Sequence, residues 1–470
     1  MPEEKKQTIE KQLSWTTESY WLKMDENKKK AVFDFAEDYK KFLKEAKTER
    51  EAVEFFIAEA EKQGFKPIEK ATYKPGEKIY IVNRGKNIAL IVIGEKPLVE
   101  GVKIVAAHVD APRVDLKPNP LYEDGDLALL KTHYYGGIKK YQWVNIPLAL
   151  HGVVITKDGK KIKIRIGEED DDPVFVMTDL LPHLSRKVQN DRKLPEGIAG
   201  EELRLIVGHI PIDDKDVKAK FKTAVLKYLN EKYGMVEEDF ASAELEIVPA
   251  FKPKDIGFDR GLIAGYGQDD RICGFTAGRA AFAIGTPKYT AIALLVDKEE
   301  IGSEGNTGMK SMFIRNIIGD LLALQNKDYN ERDVRLALTN AKALSADVCA
   351  GFNPVFPQPF DKQDTPVIGR GGVLIKYTGV AGKAGANDAN AEFVAEVRLL
   401  LNKHNIPWQV GELGKVDQGG GGTVAKFLAE HGMDVIDCGP ALLGMHSPYE
   451  ISSKADLYAV YEIYKVFLEE

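Results

Sequence analysis

The stretch YTAIALLVDKEE, residues 289–300, decides the fold. Its run from Tyr289 to Val296 is apolar almost without interruption and then breaks into four charged residues, Asp297 to Glu300. A short continuous apolar run of this kind reads as a strand buried on both faces, which belongs in a mainly parallel or mixed sheet covered by helices. Three further stretches have the same form: VKIVAAHVD (102–110), AKALSAD (341–347) and ALLGMHS (441–447). Each delivers a residue able to bind a metal, His108, Asp347 and His446, just as Tyr289–Val296 delivers Glu299 and Glu300.

Working outward, helical spacing of apolar residues over 26–63 predicts two amphipathic helices, and 78–83 with 86–94 predicts paired strands around Arg84-Gly85. Beyond Val296 the pattern alternates, with helices over 310–324, 332–342, 391–405, 423–431 and 453–468, and strands over 343–346, 408–410, 434–437 and 441–445. Asp270 opens a helix of small residues that runs to Ile284. The expected class is α/β, a mixed central sheet with helices on both faces.

Residues 119–250 have a different texture. They contain a β-rich part (148–166), an acidic loop (168–172) and one helix (about 214–233), and Asp110, Pro112 and Pro118 break regular structure before them. Glycines 257, 261, 265 and 267 punctuate the return. The chain is therefore read as a main domain in two parts, 1–118 and 251–470, with an inserted β-rich domain, 119–250, between them. At 470 residues it exceeds what one core usually serves.

A net charge of −7 argues against nucleic acid as a partner, because phosphate binding needs a concentrated basic surface. No apolar stretch approaches the roughly 18 residues that span a membrane. The first thirty residues are polar, without the apolar centre of a signal peptide, and the three cysteines, Cys273, Cys349 and Cys438, show no CxxC spacing. A cytoplasmic protein without a disulfide framework or thiolate zinc site is expected.

The ligand-type residues are His108, Asp270, Glu300, Asp347 and His446. Loops converge at the carboxyl ends of strands in an open α/β sheet, so residues placed there gather into one site. Imidazole and carboxylate without thiolate suit Zn²⁺, Co²⁺ or Mn²⁺. Three ligating carboxylates and a bridging hydroxide would balance two divalent cations, and one Asp shared between them would leave each ion one His and one further carboxylate. Asp110, two residues after His108, is placed to accept the free imidazole N–H and fix its tautomer. Glu299, left unligated, is the candidate general base for water.

Taken singly these signals are weak. Glu-Glu pairs also occur at 3–4, 168–169, 201–202, 237–238 and 469–470, but only Glu299-Glu300 ends a buried strand. QGGGG at 418–422 lacks the strand and GK[ST] context of a phosphate loop and reads as a turn bringing backbone N–H groups toward substrate. HExxH and GxSxG are both absent. The order of the clusters carries the argument.

In that order, AAHVDAPRVDLKP, YGQDDRICGF, LLVDKEEIGSEG, LSADV and GMHSPYE resemble the co-catalytic metallo-aminopeptidases, most closely the family of aspartyl aminopeptidase and vacuolar aminopeptidase I. The resemblance covers most of the chain, including IKYTG and GGGGTVA. It implies that His108 and Asp347 bind one metal, Glu300 and His446 the other, that Asp270 bridges both, and that Glu299 is the catalytic base. It further implies that His183, in LLPHLSRKV, enters a neighbouring subunit's active site, that Lys376 contacts substrate, and that the chain forms a tetrahedral homododecamer acting on peptides.

Ala350 stands where aspartate-preferring members carry a histidine, so a preference for acidic N-terminal residues is not implied. QDDR and HSPYE also resemble the glutamyl and deblocking aminopeptidases, the runner-up family. A carboxypeptidase or amidohydrolase with the same metal cage is the alternative activity. A non-catalytic scaffold is disfavoured, because it would have no reason to keep Glu299 beside five ligands.

Overall fold

The computed structural model describes residues 9–470; Glu3-Glu4 and the rest of the first eight residues lie outside it. A nine-stranded sheet forms the centre. Its middle is parallel: Thr290–Val296 pairs with Val102–His108, which pairs with Lys342–Ser345, which pairs with Asp434–Gly439. Antiparallel neighbours, Asn87–Val92 on one side and Gly372–Ile375 on the other, flank this core.

Side chains alternate across the sheet as strand geometry requires. Val105 and Ala107 point into a core shared with helices Glu26–Glu45, Glu49–Lys62, Gln268–Ala283 and Lys454–Glu469. Ile104 and Ala106 point into a second core under Phe313–Gln325 and Glu331–Thr339. Each fully buried Ile or Leu contributes about 1.5–3 kcal/mol relative to an exposed one. The parallel strands all end at the same edge, with Val296 directly opposite His108.

A seven-stranded antiparallel sheet takes up the chain between the two parts of the central sheet. It opens at Arg113, earlier than the expected boundary at 119, because the strand Arg113–Asp124 runs through Pro118 and Pro120. The prolines sit where the ladder with Leu127–Tyr135 shifts register, between Leu116 and Leu121, so their missing N–H groups interrupt the pairing without ending the strand. The helix expected from about 214 begins at Lys220.

A third, five-stranded sheet was not expected. It joins Lys254–Ile256, Leu262–Gly265, Glu450–Ser453, Ala441–Leu443 and Cys349–Ala350. The glycines read as punctuation are therefore partly strand. Gly265 lies opposite Glu450 in this sheet, which brings the segment after Gly265 up to the loop that carries His446. Among the described residues, no helix is long and apolar enough to cross a membrane.

Where the second sheet meets the first core, charges are buried. Thr48 and Glu51 form a capping box at the start of Glu49–Lys62. Glu51 also faces His151 Nδ1 at 3.0 Å, and His151 Nε2 faces Glu168 at 3.0 Å. Lys47 Nζ donates to Glu168 at 2.7 Å, while the Lys47 carbonyl accepts from Arg271 Nη2 at 2.7 Å. Burial alone would lower the His151 pKa, but its bonds to Glu168 and Glu51 outweigh burial and raise it. Burial would raise the pKa of Glu51 and Glu168, and the same imidazolium holds both below the usual range.

These shifts set the sign of a pH dependence. The His151 contribution is complete below the unfolded histidine pKa and is lost as pH rises through the raised folded value; the carboxylate contributions are lost as pH falls through their lowered values. His151→Gln is expected to cost about 3 kcal/mol near pH 6 and less at alkaline pH. Denaturant unfolding of both proteins across pH checks this, and a pH-independent difference contradicts it.

Candidate metal centre

The edge of the central sheet and the third sheet together hold the site. His108 is the last residue of Val102–His108 and is fully buried. Its Nδ1 lies 3.1 Å from the Asp110 carbonyl and 3.2 Å from Asp110 Oδ1, acceptors that require a proton on Nδ1 and leave the Nε2 lone pair free. Asp110 is also buried. Its carboxylate accepts the backbone N–H groups of Glu299 and Glu300 at 3.2 Å each and the Tyr135 hydroxyl at 2.9 Å. One side chain thus ties the His108 loop to the Glu299-Glu300 turn.

That turn follows Thr290–Val296 and is bounded by Lys298 and Gly302, both left-handed. Glu300 lies 3.5 Å from His446 Nε2, and Glu299 3.9 Å from His108 Nε2. Burial pushes the Glu299 carboxyl up to about 7; His108 opposes this, and Asp110 and Asp269 add to it.

His446, at a positive φ of 64°, is held from both ends. Its backbone N–H donates to Glu450 at 2.7 Å, and its Nδ1 lies 3.0 Å from the Gly137 carbonyl, leaving Nε2 free. Gly137 belongs to the segment between the two parts of the central sheet, so that segment contributes to the site. A Cβ on Gly137 would lie 3.3 Å from His446 Nδ1, and one on Gly136, where φ is +73°, 3.3 Å from Glu300 Cβ. Close approach is the reason for glycine at both positions.

The two acids of QDDR take different places. Asp269 Oδ1 lies 3.3 Å from His108 Nε2 and Asp269 Oδ2 lies 3.1 Å from His446 Nε2, so one carboxylate spans the two imidazoles. Asp270, for which the bridge was expected, turns to the His108 backbone N–H at 3.4 Å and groups with His108 and Asp347. The peptide between them is cis, and regular helix geometry begins only after Asp270. Burial works against ionisation of Asp269, but the imidazoles of His108 and His446 on either side of its carboxylate hold it well below the usual carboxylate range.

Glu450 completes the arrangement. Its carboxylate is 1% exposed and accepts the N–H groups of both His446 and Asp269, the latter at 3.1 Å. Burial, then the charge of Asp269, raises its pKa to about 8. No sequence period marks Glu450, since its position follows from the pairing of Gly265 with Glu450.

These donors fit cations. His108 Nε2, Asp270 Oδ1 and Glu300 Oε1 are buried without a hydrogen-bond partner. Burial first, then neighbouring acids, pushes Asp270, Glu300 and Asp347 well above the usual range, the state of a carboxylate cluster that lacks positive charge. His108, Asp269 and Glu300 offer ligand atoms within 4.8 Å of one another, and so do His108, Asp270 and Asp347. Such a set stabilises divalent cations and is neutralised by them.

Two expected residues lie apart. His183 is exposed on the short helix Pro182–Ser185, and the residues lining the metal cleft do not include it. Lys376 pairs with Asp388 at 2.7 Å, between Ile375 and Thr378, which do line the cleft. The three cysteines are buried and free.

Fold and site together have the form of a metal-dependent hydrolase. The chain belongs to the aminopeptidase I zinc metalloprotease (M18) family, which matches it over residues 42–468. A probable M18 family aminopeptidase 1 from Clostridium acetobutylicum is 52% identical, covering 95% of this chain and 97% of that one. The crystal structure of an M18 family aminopeptidase from Thermotoga maritima superposes with a TM-score of 0.93 at 48% identity, covering 97% of this chain and 100% of that one. The Saccharomyces cerevisiae mApe1 dodecamer shares the fold at a TM-score of 0.75 and 23% identity, covering 93% of this chain and 97% of that one. Of the two families that the motifs resemble, the chain is thus in the first, and it is a metallo-aminopeptidase.

Proposed function

We propose that this chain removes N-terminal residues from peptides with two divalent cations, Zn²⁺ in preference to Co²⁺ or Mn²⁺, and Glu299 as general base. The observation that carries this reading is the Asp269 carboxylate, one oxygen toward His108 and the other toward His446. His108 with Asp347 would hold one cation and Glu300 with His446 the other. Asp269 would be the ligand shared by both, and Asp270, which accepts the His108 backbone N–H, would support His108 from that side.

When bound, such cations supply Lewis-acid activation of water and of the scissile carbonyl and a counter-charge for the developing oxyanion. The rest falls to this chain's own groups. Glu299 takes the proton of the attacking water and passes it to the leaving amine nitrogen. Asp110 fixes the Glu299-Glu300 turn and the His108 tautomer, and Glu450 fixes the backbone at Asp269 and His446.

We assign residues 119–250 to assembly as a homododecamer of tetrahedral form, with His183 entering a neighbour's site. Support comes from the exposed apolar residues beside it, Leu180, Leu181, Leu184 and Val188, and from the likeness to the mApe1 dodecamer. Lys376 is assigned to substrate contact at the cleft wall. The buried free thiols suit the cytoplasm.

Chelation tests the reading. Treatment with a strong chelator is expected to abolish release of arylamine from aminoacyl arylamides, and Zn²⁺ or Co²⁺ to restore it. Activity that survives complete metal removal, or a restored protein that cleaves only C-terminal residues or acyl-amino acids, contradicts it.

A further inference from the structure

The residues lining the metal cleft, about 590 Å³ in volume, include an apolar set and a cationic set beside the acidic ones. Val348, Cys349, Ile375, Leu413 and Met445 are apolar; Val348 directly follows Asp347, Cys349 comes one residue later, and Met445 directly precedes His446. The cationic set is Lys310 and Lys426; the chain running on from the base Glu299 through Gly302 and Ser303 reaches Glu304, which pairs with Lys310. Both cations sit over one ring, Lys426 Nζ at 4.8 Å and Lys310 Nζ at 5.1 Å from the centroid of Phe427, which also lines the cleft. The ring holds them in place by cation–π attraction. Their charges are not equivalent, since Glu304 neutralises Lys310 whereas Lys426 has no carboxylate within ion-pair distance among the described residues.

From this lining we infer that Lys426 binds the free C-terminal carboxylate of short peptide substrates, with the N-terminal side chain against the apolar set. The inference rests on the aminopeptidase reading with Glu299 as base. A base that returns its proton to the leaving amine must have the leaving residue on its own side, and the chain running on from Glu299 reaches Glu304, whose partner Lys310 shares the Phe427 ring with Lys426. In a dipeptide or tripeptide the C-terminal carboxylate belongs to that leaving part, and it supplies the anion that Lys426 lacks.

The test compares Leu-Ala with Leu-Ala-amide, which share the scissile bond and differ only in that carboxylate. In the wild-type protein kcat/KM for the free acid is expected to exceed that for the amide by about tenfold, mostly through KM. In Lys426→Gln this ratio is expected to fall toward one, and in Lys426→Arg to be largely kept. A wild-type ratio near one, or a ratio unchanged in Lys426→Gln, overturns the inference. So does a Lys426→Gln protein that loses activity selectively toward N-terminal Glu over N-terminal Leu arylamides, since the cation then reads the first side chain. Leucyl arylamide has no carboxylate, so its hydrolysis by the wild type separates failure of this inference from failure of the aminopeptidase reading.

Discussion

Glu299→Gln is expected to bind metal as the wild type does and to lose about 10²–10⁴-fold in kcat, the usual worth of a general base. The amide keeps the shape of the side chain but cannot take a proton. Glu299 is 3.9 Å from His108 Nε2, and Asp110 holds its backbone, so the substitution leaves the turn and Glu300 in place. Metal content by elemental analysis and kcat on an aminoacyl arylamide, read on the same preparation, check both parts. A Glu299→Gln protein with wild-type kcat removes Glu299 from catalysis, and one without metal makes Glu299 a ligand.

Asp269→Asn is expected to have the larger effect on the metal centre. An amide offers one oxygen where the carboxylate faces two imidazoles, so the shared ligand is lost. Several kcal/mol of cation-derived stabilisation depend on it, corresponding to about 10³-fold or more in kcat/KM. Asp270→Asn keeps the oxygen that accepts the His108 N–H at 3.4 Å and is expected to lose only about 10–100-fold, as partners of ligands commonly do. Titrating both proteins with metal in competition with a chelator, alongside kinetics, separates the two residues. The reverse ranking returns the bridge to Asp270.

The difference between Asp269 and Asp270 shows where the sequence stops informing. The placement of His108, Glu299, Glu300 and Asp347 at one edge is legible because the strands before them are buried on both faces and read as continuous apolar runs, and parallel strands end together. The choice within QDDR is not, because both acids precede the same helix and the decision lies in the third sheet. Its strands are short, two to four residues, and Gly265 meets Glu450 from far away in the sequence. No local period reports such pairing. Glu450 escaped notice for the same reason.

The closeness of Gly136 and Gly137 to Glu300 and His446 is a property of the assembled site, without a counterpart in the local sequence. Pro118 misplaced the start of the second sheet because a register shift lets a strand tolerate proline, which a sequence reading takes as a break. The roles of His183 and Lys376 rest on family resemblance, since one is exposed away from the cleft and the other is paired with Asp388.

The central claim is a pair of cations sharing Asp269, and anomalous diffraction from crystals of the Zn²⁺-loaded protein addresses it most directly. Two zinc peaks are expected on either side of the Asp269 carboxylate, one beside His108 and Asp347 and one beside Glu300 and His446. A single peak held by His108, Asp270 and Asp347, with His446 unligated, would contradict the account.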